Sequence, residues 1–200
     1  MHTPIKTKPV QQPVMEEKRR RIFDAMHALV QRYGFSRVTM DDIAKECGMS
    51  RPALYQFFKN KQDIYRGIAA EMMAESKRII ALNLGGDAAL DERLFGAIKL
   101  GILDMVAEME ATSHGAELLD LKSDLSGDIL AEFGDEVIIL IAATFARDGR
   151  KLPVKAETMA ANLFFWLEGM KQQIKEPKAR EAALKGFVEM QIASMGNQQV

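Results

Sequence analysis

From Ile22 onward, apolar residues recur every three or four positions. Ile22, Met26, Leu29 and Tyr33, widened by Phe23 and Val30, form one stripe that predicts an amphipathic helix from about Glu16 to Tyr33. Gly34 ends it. Two shorter patterns follow between Thr39 and Lys61. Ile43, Ala44 and Cys47 share one face, and Leu54 and Phe58 share another. Each pattern has its own start signal. Thr39 with Asp42 reads as a capping box, Ser50 as a cap with Pro52 in the first turn behind it, and Gly48 supplies the turn between the two. Asn60 with Asp63 repeats the capping pattern for the next helix. With Leu54 and Phe58 inward, Arg51, Ala53, Tyr55 and Gln56 face outward or lie at the edge. Two short helices, a tight turn and a polar outer face make a helix-turn-helix.

The remaining two thirds read as helix throughout. A stretch from Lys61 to about Leu82 carries Ile64, Ile68, Met72 and Ile79 on one side, and Gly85-Gly86 breaks it. A helix over about 88–110 carries Leu90, Leu94, Ile98, Ile102, Met105 and Met109. Ser113 can cap a short helix through Leu118, Leu119 and Leu121, and another runs from about Leu125 to Phe145. The turn from Asp148 to Pro153 leads to a helix over about 154–175. That helix is apolar nearly all round between Met159 and Met170, so it has to be covered on more than one side. Pro177 interrupts the pattern. A last helix from Arg180 to about Ser194 places Ala183, Phe187, Met190 and Ala193 inward, antiparallel to its predecessor. There is no strand alternation and no internal repeat. The expectation is an all-α chain with a disordered tail at 1–14, where three prolines interrupt a polar stretch, a three-helix unit at 15–67 and a larger helical unit at 68–200.

Charge sharpens this division. Net charge is −1, yet residues 1–67 hold 13 Lys and Arg against 7 Asp and Glu, while residues 68–200 hold 14 against 21. A head of +6 on a body of −7 points the first third towards a polyanion. The run Lys18-Arg19-Arg20-Arg21 lies near a helix N-terminus, where the macrodipole opposes it; it fits either a nearby phosphate or a solvated face. No apolar run approaches the roughly 20 residues of a membrane helix, and the N-terminus lacks the apolar block of a signal peptide. One cysteine excludes an internal disulfide and suits a reducing, cytoplasmic setting. Enzyme motifs are missing: there is no G-x-S-x-G, H-E-x-x-H, Walker loop or G-x-G-x-x-G. Three histidines and one cysteine, none clustered, predict neither a metal site nor a cofactor.

The order Arg-x-Ile-Phe-x-Ala, Tyr-Gly-Phe, Val-Thr-Met-x-x-Ile-Ala, Cys-Gly-Met-Ser, Leu-Tyr-x-Phe-Phe-Lys-Asn-Lys over about 18–68 resembles the DNA-binding domain of TetR-family transcriptional regulators. The resemblance implies a DNA-binding head, a helical ligand-binding body, and a homodimer whose affinity for a palindromic operator is changed by a small molecule. It implies a repressor, with an activator or corepressor-dependent regulator as alternatives. From another class, the chain would be a helical small-molecule-binding or partner-binding dimer without DNA function; Arg51, Gln56 and Lys61 on a basic segment argue against that.

DNA recognition needs phosphate anchors and side chains that reach base edges. Arg51 can fork onto guanine, Gln56 can pair with adenine, and the Ala53 methyl can touch thymine, with Pro52 beside them. The resemblance puts Thr39, Tyr55 and Lys61 at backbone-holding positions. Thr39 can cap and bind phosphate together, because its N–H and hydroxyl are separate donors. Tyr55 has packing against the first helix as its alternative, and Arg37 is a further phosphate candidate. In the body, family layout suggests Met105, Met109, His114, Leu118, Phe133, Phe145 and Trp166 as the lining of an apolar effector pocket, the alternative being plain core. It likewise places the subunit interface on the last two helices, at Leu163, Leu167, Met170, Ile174, Phe187 and Met190. Cys47 reads as a small buried hydrophobe.

Overall fold

The computed structural model describes residues 11–112 and 114–196; for residues 11, 12 and 115–124 it describes the backbone alone. The described chain is helical: α1 (Gln11–Tyr33), a 3-10 turn (Phe35–Arg37), α2 (Met40–Glu46), α3 (Arg51–Tyr55), α4 (Lys61–Leu84), α5 (Leu90–Ile98), a π turn (Lys99–Leu103), α6 (Asp104–Glu110), α7 (Gly115–Arg147), α8 (Ala156–Gln173) and α9 (Pro177–Ala193). No described helix is long and apolar enough to cross a membrane. Helix α1 begins at Gln11, so residues 11–14 of the expected tail are helical; the rest of that tail lies outside the described residues.

The chain divides into two compact units. One comprises the residues up to Ile68 together with Thr112–Leu125, and the other Ala69–Ala111 with Ser126 onward. The core of the first gathers Ile22, Met26, Ile43, Leu54 and Ile64, none more than 1% exposed, with Phe23, Phe35, Val38, Cys47, Phe58 and Tyr65 around them. These are the periodic positions of α1 to α4, which is why the four helices hold together although α2 and α3 are short: each contributes one apolar stripe and leaves its polar face outside. Tyr33 is the exception. It continues the stripe in sequence, but it sits on the last turn of α1 and is 53% exposed. Also within this unit, Arg66 donates to the carbonyl of Leu125, the last residue before α7 breaks at Ser126 (φ −137°, ψ 20°). Ser113, the expected cap, lies outside the described residues.

The core of the second unit contains Leu94, Ala97, Ile98, Ile102, Val137, Ile141, Phe145, Ala160, Leu163, Leu167, Leu184 and Val188. Helices α5 and α6 form one rod with a π turn where Gly101 meets α4. The Ser76 hydroxyl donates to the Gly101 carbonyl, and a Cβ at Gly101 would collide with the Ile80 side chain. Helix α8 buries Met159, Ala160, Leu163, Leu167 and Met170 on one stripe, while Asn162, Phe165 and Gly169 are exposed. Three residues expected at a subunit interface, Leu163, Leu167 and Met170, are therefore core of the single chain. An apolar helix with no polar side had left its inward face undecided.

Helix α9 differs from expectation by a rotation of one position. Its inward residues are Arg180, Leu184 and Val188, whereas Ala183 and Phe187 are half-buried and Met190 is 58% exposed. Arg180 caused the misreading: a charged residue heads the buried stripe, where an apolar pattern looks for hydrophobes. Pro177 does not interrupt a helix but starts this one, with the Glu176 carboxylate capping the N–H groups of Lys178 and Ala179.

Candidate nucleic-acid interface

Local capping marks the starts of both α2 and α3. Thr39 stands in extended backbone at the N-cap of α2, and its hydroxyl accepts from Asp42 N at 3.2 Å. The Asp42 carboxylate in turn accepts the Thr39 N–H at 3.0 Å and the Thr39 hydroxyl proton at 2.6 Å. These bonds from Thr39 hold the Asp42 carboxyl below the usual aspartate range. The capping box is the expected one, but it engages both donors of Thr39. The second expected role, a hydrogen bond to phosphate, has no donor left in this geometry.

Gly48, at φ 67°, turns the chain, and the Met49 N–H returns to the Ala44 carbonyl at 2.9 Å. Ser50 Oγ then accepts from Ala53 N at 3.3 Å, and Pro52 occupies the first turn of α3. Leu54, fully buried, and Phe58, 4% exposed, anchor this short helix to the core. Cys47 is buried too, and burial raises its thiol pKa, as suits a packing residue.

The basic run on α1 splits into two jobs. Arg19 lies over the rings of Phe23 and Phe58, at 5.5 and 5.0 Å from their centroids. Arg21 Nη2 donates to the Cys47 carbonyl at 2.6 Å, closing the C-terminus of α2. Lys18 and Arg20 remain exposed.

Lys61 also has a structural task. Its Nζ donates to the carbonyls of Phe35, Ser36 and Val38 at 2.9, 3.1 and 3.0 Å and lies 4.7 Å from the Phe35 ring centroid. An ammonium has three protons, and three carbonyls take them. The expected phosphate anchor is instead a clamp on the loop between α1 and α2.

The outward face that remains is compact. Arg51, Pro52, Tyr55 and Gln56 are exposed, Ala53 is half-buried between them, and Arg37 is exposed on the 3-10 turn. Tyr55 is 43% exposed, so it is not packed away against α1. It lies beneath Arg51, whose guanidinium carbon is 5.6 Å from the Tyr55 ring centroid and whose Nη2 donates to the Tyr55 hydroxyl at 3.5 Å. Arg51 Nη1 donates to Asp41 Oδ2 at 3.1 Å. Asp41 escaped sequence reading: its partner is ten residues away on another helix, and Asp42 beside it carried the recognisable capping signature.

The expected effector lining is only partly gathered. Phe133 and Phe145 are buried in the core of the second unit, and Met105 packs against it. Trp166 packs against the same core, where it is stacked on Phe187 at 4.0 Å and 10°. Met109 is half-buried, His114 belongs to the first unit, and Leu118 lies outside the described side chains. Among the described residues, no group of three or more His, Cys, Asp or Glu side chains comes together as a metal site would require.

Comparison with known proteins addresses the head most directly. Residues 22–68 match the family model described as bacterial regulatory proteins, tetR family. The chain is 29% identical over 112 residues to the HTH-type transcriptional regulator SrpR of Pseudomonas putida, an alignment covering 56% of this chain and 50% of that protein. It is 27% identical over 112 residues to the uncharacterised HTH-type transcriptional regulator TtgW, also of Pseudomonas putida, covering 56% of this chain and 80% of that one. The chain thus spans half the length of the first of these relatives. Two solved structures share its fold at low identity. The TetR family repressor AlkX from a Dietzia species has a TM-score of 0.61 at 20% identity over 90% of this chain and 99% of that one. SmeT of Stenotrophomonas maltophilia has a TM-score of 0.63 at 16% identity over 90% of each chain. The capped helix-turn-helix and the matched segment agree: residues 22–68 form a head of the type that defines the tetR family of bacterial regulatory proteins, on an all-helical chain whose fold is shared with solved TetR-family regulators.

Proposed function

We propose that the protein is a DNA-binding transcriptional regulator that acts as a homodimer, and that it is a repressor released from a roughly palindromic operator by a small hydrophobic effector. The observation that carries the DNA reading is the exposed face of α3, where Arg51, Ala53 and Gln56 stand on a doubly anchored helix in the basic third of the chain. Arg51 and Gln56 have the donor geometry for guanine and adenine edges in the major groove. Arg37, Lys18 and Arg20 supply exposed positive charge for phosphates.

Dimerisation is supported by what α8 and α9 leave outside. Phe165 is 67% exposed and Met190 58%, and the half-buried Trp166–Phe187 stack joins the same two helices. Gly169 and Gly186 are exposed with nothing within 4 Å of where a Cβ would stand, so a second helix pair can approach closely. With two heads, recognition helices about 34 Å apart would read successive major grooves. Effector binding would act by population shift, favouring head spacings that no longer fit. The apolar body suits a neutral hydrophobic effector, and SmeT, which shares this fold, has been solved in complex with triclosan. A gel shift against the DNA flanking the protein's own gene tests the reading. Specific, salt-sensitive retardation is expected; salt-insensitive or absent binding would favour a partner-binding dimer without DNA function.

A further inference from the structure

Arg51 is not a free cation. Asp41, the second residue of α2, holds its Nη1 at 3.1 Å, and the Tyr55 ring and hydroxyl support it from α3. Both members of the ion pair are about half exposed, 58% and 51% by side chain, so the pair adds little to stability. Its neighbour Asp42 is committed to capping Thr39, and Asp41 has no part in that box. What the pair changes is the behaviour of the guanidinium. A guanidinium has five N–H donors; Asp41 and Tyr55 take one each, and three remain for a base edge.

We propose that Asp41 is a specificity-determining positioning residue: by pairing with Arg51 it holds the guanidinium for a guanine edge and withholds it from phosphates. This rests on the DNA-binding reading above. The physical ground is that the two targets differ in what they demand. A phosphate rewards net positive charge wherever it can reach, and Arg51 paired with Asp41 presents a unit of no net charge. Guanine O6 and N7 are neutral acceptors that reward two parallel donors in a fixed plane, which pairing orients without consuming. If Arg51 swings away to a phosphate, the Asp41 carboxylate is left unpaired beside the DNA backbone, where it is repelled. The pair therefore penalises the sequence-independent mode and spares the sequence-reading one.

The test uses the full chain with the duplex it enriches from a randomised pool, the single-base-pair variants of that duplex, and a scrambled duplex, in anisotropy titrations across salt. Asp41→Asn keeps the shape and removes the charge. It is expected to bind the scrambled duplex several-fold more tightly, to steepen the dependence of log affinity on log salt by about one unit, and to lose about tenfold discrimination at one base pair. In an Arg51→Ala background the same substitution should leave discrimination unchanged, and Asp41→Glu should keep most of it. Unchanged discrimination in Asp41→Asn, or an equal change with and without Arg51, would overturn the proposal while leaving the DNA reading intact; a helix-dipole role for Asp41 gives that second result. A wild-type chain that enriches no duplex would instead overturn the DNA reading, and this proposal with it.

Discussion

Arg180 and Glu110 are joined by two parallel hydrogen bonds, Nη1 to Oε2 at 2.7 Å and Nη2 to Oε1 at 2.9 Å, with the arginine 1% exposed. The same guanidinium donates from Nε to the Ile174 carbonyl at 2.6 Å and from Nη2 to the Lys171 carbonyl at 3.1 Å. One side chain thus closes the end of α8, starts the buried stripe of α9 and reaches α6. Removing its counter-charge strands a buried cation, so Glu110→Ala should cost about 3–5 kcal/mol in urea unfolding. Arg180→Met should cost less, because Glu110 is 27% exposed by side chain and water can hydrate it.

The same pair makes stability depend on pH. The hydrogen bonds from Arg180 hold the Glu110 carboxyl below the usual glutamate range. A carboxylate with a depressed folded pKa contributes stability that is present above its unfolded value, about 4.3, and lost as pH falls through the folded one. The difference in unfolding free energy between wild type and Glu110→Gln should therefore shrink from pH 7 to pH 3.

Lys61 gives a prediction that separates a clamp from a phosphate anchor. Lys61→Met removes a charged donor from three carbonyls and should destabilise the head by about 1.5–3 kcal/mol, read by hydrogen exchange in α1 to α3. The salt slope of DNA binding should hold steady. A slope reduced by about one unit, with stability intact, would restore the anchor role. Arg37→Ala should show that reduction.

The exposed face of α8 and α9 predicts how substitutions will sort. Phe165→Glu or Met190→Glu should yield folded monomers in sedimentation equilibrium, because these side chains are already in water within one chain. Leu163→Glu should unfold the body, since Leu163 is fully buried.

Gly101 sits where the π turn meets α4, and its backbone approach leaves no room for a methyl group. Gly101→Ala should lower stability by about 1–3 kcal/mol, and Ile80→Val in the same chain should recover part of the loss by opening space at the contact.

What was legible in the sequence was what neighbouring residues decide. Ile43, Ala44, Cys47, Leu54 and Phe58 are all buried, and the Thr39–Asp42 and Ser50 caps form, because apolar spacing and capping act over three or four residues. What escaped were charged side chains with distant partners. Lys61 and Arg21 reach carbonyls up to 26 residues away, and Arg180 reaches a carboxylate 70 residues away. Residue type announces such a cation as solvated or DNA-facing, whereas its actual role depends on which oxygen the fold brings near. The faces of α8 and α9 were misjudged for a related reason. An all-apolar helix has no polar side to orient it, and a buried arginine hides the stripe it begins.

The central claim, that α3 reads DNA sequence, is tested most directly by titrating one enriched and one scrambled duplex with wild type and Arg51→Ala at several salt concentrations. Wild type should prefer the enriched duplex by about 10³ or more and lose affinity steeply with salt. Arg51→Ala should give up about 1–3 kcal/mol of that preference while keeping its affinity for the scrambled duplex. Equal wild-type affinity for both duplexes, or binding indifferent to salt, would contradict the account.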